Sequence, residues 1–201
     1  MCSECKWVES IKKLKKIGIN HSTKCTYILI PKCASSYILQ NIADQGYKFM
    51  NITPENYHRR YSDYFTWTFT RDPLTRFIAS FCELKYERDM SCLWRHVNKD
   101  NFNPSIFLDK LESIGEFDPH SISQINLIRP FETRRKLDYI GNLENMGQCC
   151  KDIEELTGVK LGKSSNYKRI TPTERKPTLT ESEINRVKEL YTDDFNRFGI
   201  N

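Results

Sequence analysis

The chain has 201 residues, 38% hydrophobic and 12% aromatic, and 31 lysines and arginines against 26 acids give it a net charge of +5. That is enough apolar content for one α/β domain with a packed core. No run approaches the roughly 20 apolar residues a bilayer-crossing helix needs, so a membrane span is not expected, and the basic balance suits a polyanionic ligand or nucleic acid.

The opening Met1-Cys2-Ser3-Glu4-Cys5-Lys6 has no apolar stretch of the kind a secretion signal carries, and a cytoplasmic location is expected. Lys6 to Ile17 reads as a basic amphipathic helix inside a helical extension over residues 1–24, with Lys12, Lys13, Lys15 and Lys16 on its solvated face. A β-rich run, Tyr27-Ile28-Leu29-Ile30, then enters Pro31-Lys32-Cys33-Ala34-Ser35-Ser36, and helical spacing resumes at the serines. A strand, a loop of small residues with one lysine and a helix N-terminus make an anion cradle. The first N–H groups of a helix lack acceptors, and its dipole adds positive potential there.

A weak strand is predicted around Tyr47 to Ile52. The next segment, Tyr64-Phe65-Thr66-Trp67-Thr68-Phe69-Thr70, alternates aromatic and threonine residues as a strand does and runs into Arg71-Asp72-Pro73. Pro73 suits the first turn of a helix reaching about Arg88. Arg71 then stands at a strand's carboxyl end, where open α/β sheets bind ligands. Two such anion sites imply a ligand with two separated anionic groups. Helices are expected over Pro104 to Ile114, Ile122 to Leu127 and Glu144 to Leu156, the last closed by Gly158, with a strand over Leu137 to Gly141. Lys163 to Pro177 reads as a polar loop, and Thr180-Glu181-Ser182-Glu183 as a capping box opening the last helix. Strands separated by helices predict one three-layer α/β domain, residues 1–201, around a mainly parallel sheet.

The paired loops resemble the two cofactor signatures of the sulfotransferases that use 3′-phosphoadenosine 5′-phosphosulfate (PAPS), in particular the carbohydrate and heparan branch. Asp138-Tyr139-Ile140-Gly141-Asn142-Leu143-Glu144-Asn145 is similar to that family's late strand and turn, and Leu190 to Gly199 to its closing helix. The resemblance implies a P-loop-like nucleotide-binding fold. It also implies a 5′-phosphosulfate held by Pro31, Lys32, Cys33, Ala34, Ser35 and Ser36, and a 3′-phosphate held by Arg71 and Ser80. Lys168 and Arg169 would lie in a basic loop that closes over the nucleotide. The chain departs from the family in two places: Ala34 stands where a glycine is usual, and the usual serine position is Ala79, one before Ser80. On a helix one residue is about 100° of rotation.

Sulfuryl transfer calls for fixed positive charge beside the leaving oxygen and a base for the acceptor hydroxyl. Lys32 fits the first role and no metal is needed. For the base, His120, in a segment that resembles a histidine-and-glutamine stretch of carbohydrate sulfotransferases, stands beside His58, at a position where some relatives carry a catalytic histidine. Either also reads as a hydrogen-bonded loop histidine. The expected acceptor is a hydroxyl of a carbohydrate or small metabolite, and nucleic acid is not an expected partner. Eight cysteines read as reduced, packed thiols, with a zinc site at Cys2 and Cys5 the lesser alternative. Two other functions stay open. A P-loop-like kinase would use a similar scaffold, although G-x-x-x-x-G-K-[ST] is missing. A nucleic-acid-binding protein would use the basic clusters.

Overall fold

The computed structural model describes residues 15–87, 97–114, 120–162 and 175–199. They group into two compact units. One comprises the described residues up to Arg71 and from Gln124 to 162, the other those from Asp72 to Ser123 and from 175 onward.

The first unit is built on five strands: β1 (Lys15–Asn20), β2 (Cys25–Ile28), β3 (Lys48–Ile52), β4 (Phe65–Thr70) and β5 (Tyr139–Asn142), in the order β3-β1-β2-β4-β5. β2 pairs in parallel with β4 and β4 with β5, whereas β1 is antiparallel to both β2 and β3. The fold class is therefore α/β as expected, but the sheet is mixed rather than mainly parallel. The cause is β1, which the sequence reading places in a helical extension. From Lys15 on, that extension is an inner strand. Ile17 and Ile19 are fully buried, and their alternation with Gly18 has the period of a strand. Asn20 turns the chain back towards β2. Its Oδ1 accepts from the N–H groups of Ser22 (2.9 Å) and Thr23 (3.1 Å), an Asx-type closure.

The helices of this unit include α1 (Ser35–Ile42), α2 (Pro54–Tyr61) and, after the other unit's first stretch, α5 (Gln124–Ile128). Ile17, Ile19, Ile28 and Ile52 from the strands pack with Tyr57 and Tyr61 of α2 and with Phe131. Each such burial is worth about 1.5–3 kcal/mol. On the opposite face of β2 and β4, Tyr27 and Trp67 have ring centroids 4.6 Å apart. The threonines between the β4 aromatics are buried and hydrogen-bonded. Thr68 Oγ1 donates to Ile28 O (2.7 Å) and Thr70 Oγ1 to Gly141 O (3.2 Å), which pins β4 to both neighbours. After β5, α6 (Met146–Thr157) ends at Gly158 with φ 73°, the left-handed C-cap anticipated from sequence.

The second unit is helical: α3 (Pro73–Cys82), α4 (Pro104–Ile114), α7 (Glu181–Leu190) and α8 (Thr192–Phe198). Asp72 caps α3 by accepting from Thr75 N–H (2.8 Å), and Pro73 occupies its first turn. From Glu83 to Glu87 the helix widens to π geometry. Phe77 stacks on Phe107 at 5.1 Å and Phe81 on Phe102 at 5.3 Å, in a core that also takes in Leu111, Val187 and Tyr191. Among the described residues, no helix is long and apolar enough to cross a membrane.

Candidate functional site

The connection from β2 to α1 is shaped by backbone conformation. Cys33 N–H donates to Ile30 O at 3.3 Å, with Pro31 and Lys32 at the centre of the turn. Lys32 has φ 66° and Ala34 φ 56°, while Pro31 and Cys33 between them keep negative φ. Proline before a left-handed residue is the type II turn pattern.

α1 then starts from Ala34 with no side-chain cap and no acidic residue in its first turn. The Ser35 and Ser36 N–H groups have no intrahelical acceptor, and nothing in the first turn offsets the positive end of the dipole. Cys33 is fully buried and Ala34 nearly so, so these two support the loop from beneath while Lys32, Ser35 and Ser36 lie nearer solvent.

Because β2 and β4 are adjacent and parallel, their carboxyl ends lie on the same edge of the sheet, strands spaced by about 4.8 Å. Arg71 follows β4 directly. One side chain joins the two ends. Gln124, the first residue of α5 and completely buried, accepts at Oε1 from Arg71 N–H (2.9 Å) and from the Cys33 thiol (3.2 Å), and its Nε2 donates to Arg71 O (2.8 Å). The Arg71 guanidinium completes the circuit, with Nη1 3.4 Å from Lys32 O. Lys32, Cys33 and Arg71 are thus brought together within one unit.

His58 is also in this unit, in α2. Its Nε2 lies 2.9 Å from Pro130 O and 2.8 Å from Thr133 Oγ1. The carbonyl requires Nε2 to carry a proton, and the ring ties α2 to the segment after α5. These contacts describe a tether.

The remaining described candidates belong to the second unit. Ser80 is buried in α3, and its hydroxyl is shared between Arg76 O (3.0 Å) and His120 O (2.6 Å). A phosphate contact from Ser80 has to replace one of these. The His120 ring stands 3.6 Å from Glu83 Oε2, both partly exposed, and Glu83 opens the π-helical turn, a distortion often found at functional sites. Arg76, 2% exposed, donates from Nη1 to Ile122 O (2.8 Å). Lys168 and Arg169 lie outside the described residues, as do Cys2, Cys5 and Cys92.

Of the other cysteines, Cys25, Cys33, Cys82, Cys149 and Cys150 are buried thiols. Burial, reinforced by neighbouring Cys149, pushes the Cys150 thiol up to about 11, which keeps it protonated at neutral pH and unreactive. Among the described residues no group of three or more His, Cys, Asp or Glu side chains is placed to hold a metal ion.

Sequence reasoning missed the structural parts played by Gln124, Glu83 and Arg76. The Gln124 partners are 53 and 91 residues away, so no local pattern announces them. Comparison with protein-family models finds no match for this chain, and comparisons with curated proteins and with solved structures likewise find none.

Proposed function

We propose that the protein is a PAPS-dependent sulfotransferase with a three-layer, P-loop-like nucleotide fold, acting on a hydroxyl of a carbohydrate or small metabolite. One observation carries this reading: an uncapped helix N-terminus and the Arg71 strand end, two anion-attracting features, are tied to one another by Gln124. A ligand with two anionic groups matches that pair.

In the proposed reaction the acceptor oxygen attacks sulfur in line. The bond from sulfur to the bridging oxygen breaks, and its electron pair stays on the 5′-phosphate. Lys32 offsets the charge growing on that oxygen, and the N–H groups of Ser35 and Ser36 orient the phosphate. The acceptor's proton passes to a base. His120 and His58 are the candidates for it; the His58 ring is engaged by Pro130 and Thr133, and the His120 ring has Glu83 beside it. A histidine oriented by a carboxylate is a common general base.

Isothermal titration with 3′-phosphoadenosine 5′-phosphate tests the reading. Micromolar binding is expected, weakened by about 2–3 kcal/mol in Arg71→Ala, the range of a charge-assisted contact. Binding of ATP only with magnesium points instead to a kinase. Steeply salt-dependent affinity for an oligonucleotide points to a nucleic-acid-binding protein.

A further inference from the structure

We propose that Gln124 is a positioning residue that fixes the separation of the two anion-binding loops, and so makes the site prefer nucleotides with two separated anionic groups over those with one. The inference rests on the nucleotide-site reading above and assigns to Gln124 the property of spacing the site.

The ladder between β4 and β5 ends at the pair Thr70 and Asn142. Arg71, one residue further, has no strand partner there. The Gln124 amide takes that place, presenting an acceptor to Arg71 N–H and a donor to Arg71 O, as a neighbouring strand would. Its Oε1 also takes the Cys33 thiol, so one rigid planar group sets where β4 ends relative to the loop after β2. Only a primary amide does this at a fully buried position. A leucine leaves both Arg71 backbone groups facing apolar surface, and a glutamate sets a negative charge against a carbonyl.

Within this circuit the backbone of Arg71 is firmly held, while its guanidinium makes the longest contact, 3.4 Å to Lys32 O. That contact is at the weak end for a hydrogen bond and is the one a phosphate most readily replaces. The backbone anchor persists when the side chain turns to a ligand.

The test compares the full chain with Gln124→Leu, titrating each with 3′-phosphoadenosine 5′-phosphate and with adenosine 5′-phosphate, which fills one anion site. Gln124→Leu is expected to reduce the preference for the bisphosphate by about tenfold or more while adenosine 5′-phosphate affinity changes by less than about threefold. Equal losses for both ligands, or an unchanged preference, overturn the proposal. Should Gln124→Leu lack a cooperative melting transition, Cys33→Ala, which removes one link, carries the test. It is expected to lower the same preference by about threefold, and an unchanged preference there overturns the proposal equally. A wild-type chain with no preference for the bisphosphate sinks this inference together with the reading it rests on. A preference that is lost in Arg71→Ala yet kept in both other variants sinks this inference alone.

Discussion

Two helices of this protein begin in opposite ways. α7 opens with a complete capping box: Glu183 N–H donates to Thr180 Oγ1 (3.3 Å), Thr180 N–H donates to Glu183 Oε2 (2.8 Å), and Ser105 Oγ donates to the other carboxylate oxygen (2.6 Å). Acidic residues fill its first turn. α1 has no side-chain cap and no acid in its first turn, and it starts from a non-glycine residue at positive φ. A cap at an exposed helix end is worth about 1 kcal/mol. The difference separates a terminus closed by its own side chains from one without such a cap, which on the proposed reading is where the anion binds.

Breaking that contrast has consequences of graded size. The largest is expected from Lys32→Ala. Single-turnover sulfuryl transfer should fall by about 100-fold or more while affinity for the desulfated nucleotide, read by calorimetry, changes by less than about tenfold, because in the proposed reaction the charge acts on the leaving oxygen. Equal losses in rate and affinity remove Lys32 from the chemistry. Next comes Ser36→Asp, which gives α1 the acid that α7 already has. The helix gains about 0.3–1 kcal/mol in melting experiments, yet nucleotide affinity should drop by about 2 kcal/mol or more from like-charge repulsion. An unaffected affinity shows that the α1 terminus is not where the anion sits.

In the capped helix the sign of the pH effect is fixed by Glu183. Burial opposes its ionisation, but the hydrogen bonds from Ser105 and Thr180 outweigh it and hold the carboxyl below its ordinary value. A carboxyl lowered on folding contributes stability above the ordinary carboxylate range and loses it as pH falls through the folded value. Glu183→Gln keeps one acceptor for the box but not the charge, so the melting temperature at neutral pH should fall and its further decline in acid become shallower. An identical acid decline in the variant denies Glu183 this part. The smallest effect belongs to Ala34→Gly, which relaxes a left-handed alanine and should stabilise by up to about 1 kcal/mol. A clear destabilisation shows that Ala34 contributes packing that outweighs its strain.

The legible parts of this chain are those written in neighbouring residues. Thr180 with Glu183, Pro73 behind Asp72, the span Pro104–Ile114 and Gly158 after α6 all stand as read. So does the passage from β2 through Pro31 to Ser36 into α1. β1 departs from the helix read over Lys6 to Ile17 because what decides its conformation is the pairing of Ile17 with Ile28 on one side and Met50 on the other. Tertiary pairing overrides local periodicity there. The union of Arg71 with Cys33 was hidden for the same reason, since it passes through a glutamine distant in sequence from both.

The strand order has a consequence for how such a chain changes over generations. Between its two loops the polypeptide leaves the β2–β4 pair and lays β3 outside β1, at the margin of the sheet. Growth or shortening of the turns flanking β3, one of them carrying Gly46 at φ 83°, leaves the central ladder uninterrupted. That margin is nonetheless moored, since Gln45 O accepts from Asn20 Nδ2 (2.7 Å) and Trp67 Nε1 donates to Tyr47 OH (3.4 Å), so a change of length there is felt first at these two anchors.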